Sequence, residues 1–266
     1  MAFRMPDQQV RERAIAAVGF IHKVPDLAMN DDKYPQGAHD SYDVHGFAMI
    51  DTQKTDLDRP ADTYDQPNAV KCAQDIARAI RRQVPLDLGM DVMDLGAGTG
   101  LVALALWPYV HSIRAVDSSW GMLSVLRQKV NMLGISNVKT FLCDFEEGRL
   151  PDQRFDVVYS IMTFHHIADV ERLLRSLHRV LKPGGVLAVA DLDTEDGDFH
   201  ADNTGIRHFG FDRAEMKSLL RSTGFDGVRV STAHKASKQV ASGETKQFSI
   251  FLMTGVRRND MPAFGV

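Results

Sequence analysis

Cysteine is nearly absent: 266 residues hold two, Cys72 and Cys143, far apart in the chain. That excludes a disulfide framework and the paired spacing of a zinc site, and it fits a reducing compartment. Long apolar runs are missing too, since none approaches the roughly 20 residues that a membrane-spanning helix needs. There is no basic excess. Lys plus Arg number 31 against 35 Asp plus Glu, a net charge of −4, whereas a phosphate-binding surface would show the opposite balance. The start of the chain carries Asp7 and Glu12 and no extended apolar core, so no secretory signal is expected. These absences point away from nucleic-acid and membrane partners and toward a cytoplasmic protein. What is present is ordinary for a globular domain, 44% hydrophobic and 25% charged. No internal repeat or low-complexity block interrupts it.

Residues 7–23 place Val10, Ala14, Ile15 and Val18 at helical spacing. Residues 24–66 form a long stretch rich in Asp, Pro, Gly and Tyr, of the kind that is functional or mobile. Residues 1–60 are therefore read as an extension, either a lid or a homodimer element. A domain follows over 61–256, with a tail at 257–266. From Pro67 the positions Val70, Ala73, Ile76, Ala77, Ile80 and Val84 mark one face of a helix. Strands and helices then alternate. "DVMDL" is the first strand and "LVALALWPY" its helix. "HSIRAVD", "NVKTFLC", "FDVVYSIM" and "VLAVADL" are further strands, and "KPGG" is a turn that closes the helix "ADVERLLRSLHRVL". "GVRVSTAHK" and "KQFSIFLMTG" end the domain. This alternation predicts an α/β, Rossmann-like, doubly wound sheet.

"DLGAGTG" sets Gly96, Gly98 and Gly100 between a strand and a helix. Without Cβ atoms the backbone can approach a ligand closely, and a helix N-terminus offers free N–H groups. Asp117 ends the next strand, where dinucleotide-binding folds place the acid that takes ribose hydroxyls. Alone, these features indicate a nucleoside-like cofactor. NAD would need room for a pyrophosphate and a later third glycine. Asp94 would repel a pyrophosphate but welcome the ammonium group of S-adenosylmethionine.

The stretches "VMDLGAGTGLVALAL", "AVDSSWGMLSVL", "CDFEEGRLPDQRFDVVYSIMTFHHIADVERLLRSLHRVLKPGG" and "VLAVADL" together resemble the class I S-adenosylmethionine-dependent methyltransferases. The likeness is to the small-molecule branch related to ubiquinone and menaquinone biosynthesis, and it covers roughly residues 60–255. It implies a seven-stranded sheet ordered 3-2-1-4-5-7-6 with only strand 7 antiparallel. It also implies that the backbone at Gly96, Ala97 and Gly98 lies along the cofactor, with Asp94 near its amino end and Asp117 on the ribose diol. Met122 and Phe145 would flank the adenine, with Asp144 at its exocyclic amine. The entry segment "PADTYDQPNAV" would bring Tyr64 over the cleft.

Methyl transfer to a small-molecule acceptor needs alignment of the reacting atoms and, for some acceptors, a base. Ligands bind such sheets at the carboxyl ends of the strands, which makes His165, His166, His200 and His208 the candidates. In the acidic loop "DLDTEDGDFH", Asp193 and Glu195 are expected to shape the acceptor pocket and to raise the pKa of His200. Asp196 and Asp198 are expected to face water. Magnesium-dependent relatives need an acid after the fourth strand, where this chain has Ser160, Thr163 and His165, so no metal is expected. A non-catalytic cofactor-binding module or regulatory subunit, and a methyltransferase acting on protein or nucleic acid, are the alternatives.

Overall fold

A computed structural model describes residues 65–145 and 150–258. The extension over 1–60, Tyr64 and most of the C-terminal tail lie outside the described residues. The elements run α1 (Pro67–Gln83), β1 (Asp91–Leu95), α2 (Leu101–Leu106), β2 (Ser112–Asp117), α3 (Trp120–Met132), β3 (Val138–Leu142), β4 (Phe155–Ile161), α4 (Val170–Val180), β5 (Leu181–Leu192), α5 (Arg213–Ser222), β6 (Phe225–Gln239) and β7 (Thr245–Arg257). The strands form one sheet in the order β3-β2-β1-β4-β5-β7-β6. Pairing is parallel from β3 through to β5, and β7 runs antiparallel to both β5 and β6.

Side chains on a strand alternate between faces, and here both faces are buried. Val92, Val157, Tyr159, Ala188 and Ala190 join one core with α1, α2 and Leu126 and Val130 of α3. Met93, Leu95, Val158, Leu187 and Val189 join the other with α4 and Leu220 of α5. Each fully buried Leu, Val or Phe contributes about 1.5–3 kcal/mol relative to exposure, so the central strands are the hardest part of the domain to distort. Their carboxyl ends make a stiff platform.

Helix starts follow local chemistry. Pro67 opens α1 at a position where no backbone donor is needed, and the expected face Val70, Ala73, Ile76, Ala77 and Ile80 is buried. Asp212 accepts from the backbone N–H of Ala214 and Glu215 at 2.8 and 2.9 Å and starts α5. Asp169 does the same for α4 through Arg172 at 2.9 Å.

Two expectations need correcting. "KPGG", expected as a turn closing the preceding helix, is not separate from the strand that follows. It lies within β5 as an irregularity, with Leu181 paired to Phe155 and the ladder resuming at Val186 opposite Val157. Gly184 takes a left-handed φ of +77°, as a tight turn requires. The sixth strand is longer than "GVRVSTAHK", because β6 keeps pairing with β7 as far as Gln239 opposite Thr245.

Candidate functional site

β1 runs into the turn Gly96–Gly100 at the carboxyl end of the sheet. The backbone N–H groups of Gly96 and Ala97 both donate to the Val116 carbonyl of β2, at 2.8 and 3.0 Å. Gly96, Gly98 and Gly100 all have positive φ, +72°, +54° and +82°, where a side chain costs roughly 1–2 kcal/mol. Their surroundings differ. A Cβ on Gly96 would strike the Thr163 side chain at 2.1 Å, and one on Gly100 would strike Leu126 at 2.1 Å. A Cβ on Gly98 would meet nothing within 4 Å. The outer glycines let the turn pack on protein, and the middle one keeps backbone exposed to open space.

Two acids flank this turn. Asp117, at the end of β2, accepts from the Gly98 N–H at 2.7 Å through Oδ2 and from the Ser119 N–H at 2.8 Å through Oδ1. Burial raises its pKa against the pull of those backbone donors. Each carboxylate oxygen keeps a second lone pair for another donor. Asp94 is buried, and neither its Oδ2 nor the Tyr159 hydroxyl beside it has a hydrogen-bond partner. Burial pushes the Asp94 pKa up to about 8, opposed by the Tyr159 hydroxyl and reinforced by the Asp117 charge. A buried carboxyl group with an unpartnered oxygen beside an open glycine turn is a receptor for a cationic donor, which would favour its ionised form. Met122 is buried at the start of α3, Phe145 is half-buried and Asp144 exposed.

The second half of the site lies at the ends of β4 and β5. Met162, between β4 and Thr163, takes a φ of +53°, uncommon for a residue with a side chain. The chain then turns through Phe164–His166, which brings His165 back over β5. There His165 Nδ1 lies 2.8 Å from Asp191 Oδ1. Asp191 is fully buried and also accepts from the backbone N–H of His165 at 3.2 Å and of Leu192 at 2.8 Å. With the carboxylate as acceptor, Nδ1 donates; in a neutral ring Nε2 would then carry the lone pair. That Nε2 is buried and has no hydrogen-bond partner.

His166 and His200 surround it, with ring centroids 4.2 and 5.0 Å from that of His165. His200 Nε2 is likewise buried and unpartnered. Contrary to expectation, no pair of carboxylates raises the His200 pKa. Burial lowers it to about 4, helped by His165, His166 and Lys238, with Asp191 opposing. His166, also lowered by burial, rests its Nδ1 3.1 Å from the Gly205 carbonyl. Burial thus disfavours the charged form of both His166 and His200.

The acidic loop is mostly occupied with itself. Asp193, expected in the acceptor pocket, forms a two-pronged ion pair with Arg213 at 2.6 and 2.8 Å. Glu195 Oε2 accepts from the backbone N–H of Asp198 and Phe199, at 2.7 and 3.1 Å, and so holds the turn that presents His200. Its Oε1 is buried without a partner. Asp196 is exposed as expected, but Asp198 pairs with Lys246. His208 departs from its catalytic reading as well: its Nε2 sits 2.9 Å from the Ile167 carbonyl, a bond that fixes the loop against α4's start. Among the described residues no three His, Cys, Asp or Glu side chains converge as a metal-binding set.

Sequence reasoning missed Asp191 as the partner of His165. The acid interrupts an apolar strand, which was a visible signal, but no spacing rule links two residues 26 apart. Thr163, which packs on Gly96, was missed for the same reason.

Residues 93–189 match the family described as a methyltransferase domain. An uncharacterised methyltransferase of Schizosaccharomyces pombe, C1347.09, is 28% identical over 195 residues, 68% of each chain. The uncharacterised methyltransferase YcgJ of Bacillus subtilis is 35% identical over 100 residues, 38% of this chain and 40% of its own. The ubiquinone/menaquinone biosynthesis C-methyltransferase UbiE of Vibrio campbellii is 39% identical over 108 residues, 39% of this chain and 41% of its own. The match thus spans about two fifths of the length of these last two relatives. Among solved structures, YcgJ superposes with a TM-score of 0.58 at 20% identity, over 70% of this chain and 99% of that one. A putative methyltransferase of Haloferax volcanii, solved with the activator Trm112, gives 0.60 at 20% identity, over 77% and 99%. Both share the fold. No helix among the described residues is long and apolar enough to cross a membrane.

Proposed function

We propose that this chain, a member of the class I S-adenosylmethionine-dependent methyltransferases, transfers the methyl group of S-adenosylmethionine to a small-molecule acceptor without a metal. The observation that carries the reading is the open turn at Gly98 set between two buried acids, Asp94 and Asp117. The residues fit the cofactor. Asp94 Oδ2 lacks a donor, and the ammonium group supplies one. Asp117 already orients the turn and has lone pairs left for the two ribose hydroxyls. Backbone at Gly96, Ala97 and Gly98 would lie along the cofactor, and Met122 and Phe145 would border the adenine, with Asp144 at its amine, as the family resemblance implies.

When bound, the cofactor supplies a methyl carbon already activated by a sulfonium. The chain's part is to align the acceptor and to take its proton. His165 Nε2 is the proton acceptor in this reading, and Asp191 holds the ring in the tautomer that leaves Nε2 basic. His200 and His166, uncharged, border the same space without adding a competing cation. The intact dyad counts against a non-catalytic binding module, because binding the cofactor requires no such pair.

Titration calorimetry with S-adenosylhomocysteine tests the cofactor half. Binding at micromolar concentration is expected. No heat with this ligand, from folded protein, would overturn the reading.

A further inference from the structure

Lys129 lies on the last turn of α3, away from the histidine cluster, and is not a surface lysine. Its side chain is 12% exposed, and its Nζ stands 2.5 Å from Asp65 Oδ2, itself on a side chain only 11% exposed. The same Nζ donates to the Thr99 carbonyl at 2.9 Å. Thr99 closes the set, because its hydroxyl donates to Asp65 Oδ1 at 2.6 Å. Three side chains and one carbonyl thus form a closed ring of hydrogen bonds, with both Asp65 oxygens engaged.

The position of Thr99 gives this ring its consequence. Thr99 sits between Gly98, whose backbone faces open space, and Gly100, whose left-handed conformation starts α2. A carbonyl held by an ammonium cannot rotate without breaking a charge-assisted bond. Fixing the Thr99 carbonyl fixes the Thr99–Gly100 peptide plane, just before α2. Asp117 holds the turn from one side through the Gly98 N–H, and Lys129 holds it from the other. Asp65 is two residues ahead of Pro67, so the ring also ties the chain entering α1 to the glycine turn.

Burying two charges costs several kcal/mol per ion before their attraction offsets it. A hydrophobic pair would pack the same gap between α1, α2 and α3 more cheaply. Such a pair could not grip a backbone carbonyl.

We propose that Lys129 and Asp65 are positioning residues for cofactor binding, which hold the Gly96–Gly100 turn in its receptive shape through the Thr99 carbonyl and hydroxyl. This rests on the reading of that turn as the S-adenosylmethionine site.

The test is titration of the full chain with S-adenosylhomocysteine, alongside its melting temperature. Lys129→Met should weaken affinity at least fivefold. Lys129→Arg, which keeps the charge and its donors, should stay within about threefold of the parent. The double variant Asp65→Asn with Lys129→Met removes both charges and avoids leaving one buried alone; it should fold and show the same loss. A folded double variant with parental affinity overturns the proposal. So does a Lys129→Arg protein as weak as Lys129→Met, since bulk packing would then explain the loss. Failure of the parent protein to bind is a different outcome: it removes the reading of the turn, and the proposal with it.

Discussion

His165 Nδ1 and Asp191 Oδ1 meet at 2.8 Å across the ends of β4 and β5, with both side chains almost wholly buried. The bond ties β5 to the turn after β4, next to the β1–β4 boundary where the strand order reverses and such sheets bind ligands. It also leaves His165 Nε2 buried with no hydrogen-bond partner, the atom that would hold the lone pair of a neutral ring. A structural histidine buried this deeply would ordinarily have both nitrogens satisfied.

If that lone pair takes the acceptor's proton, Asp191→Asn should lower turnover by about 10²–10⁴-fold while affinity for S-adenosylhomocysteine stays within twofold. His165→Ala should do the same. Steady-state rates set beside calorimetry check this. Equal losses in affinity and rate would instead mean that the dyad only supports the cleft.

Asp94 is held protonated at neutral pH by a pKa near 8, raised by burial. A group with a raised folded pKa stabilises the ligand-free fold below its unfolded value of 3.8, and that contribution is lost as pH rises through about 8. An ammonium group beside it favours the ionised form, so cofactor binding at pH 7 should release a proton. Calorimetry in two buffers of different ionisation enthalpy reads that release directly. Asp94→Asn should abolish it.

The sign is opposite for His200. Its folded pKa of about 4 lies below the ordinary 6.5, so the unfolded chain takes up a proton that the folded one refuses. Its contribution is complete above pH 6.5 and is lost as pH falls through about 4. Melting temperature should therefore drop over that window, and less steeply in His200→Gln. Parallel curves for the two proteins would count against the buried neutral ring.

Asp117→Ala removes the bonds to the Gly98 and Ser119 N–H groups together with the expected grip on the ribose diol. Charge-assisted bonds of this kind are worth about 2–4 kcal/mol together. Affinity for S-adenosylhomocysteine should fall at least tenfold in a protein that still folds. Unchanged affinity would move the cofactor away from β2.

The sheet was legible because its causes are local. Apolar runs such as "VVYSIM" make strands buried on both faces, Pro67 and Asp212 start helices, and glycines at 96, 98 and 100 announce a turn. The glycine turn and Asp117 were legible for the same reason: they lie within one strand–turn–helix unit. The acidic loop was not. Asp193 read as a pocket residue and Asp198 as a solvated one because their partners, Arg213 and Lys246, come from α5 and β7. The low pKa of His200 likewise comes first from burial and then from His165, His166 and Lys238, which the turn after β4 and strand β6 bring together. Long-range pairings across the sheet decide such roles, and no spacing in the chain encodes them.

The central claim is methyl transfer to a small molecule by this chain's own residues without a metal. Incubation with methyl-labelled S-adenosylmethionine and a metabolite extract, in the presence of EDTA, tests it most directly. Label should appear in a low-mass product with the parent protein, and be reduced at least a hundredfold with Asp191→Asn. Label that stays on the cofactor, although S-adenosylhomocysteine binds, or that appears only after magnesium is restored, would contradict the account.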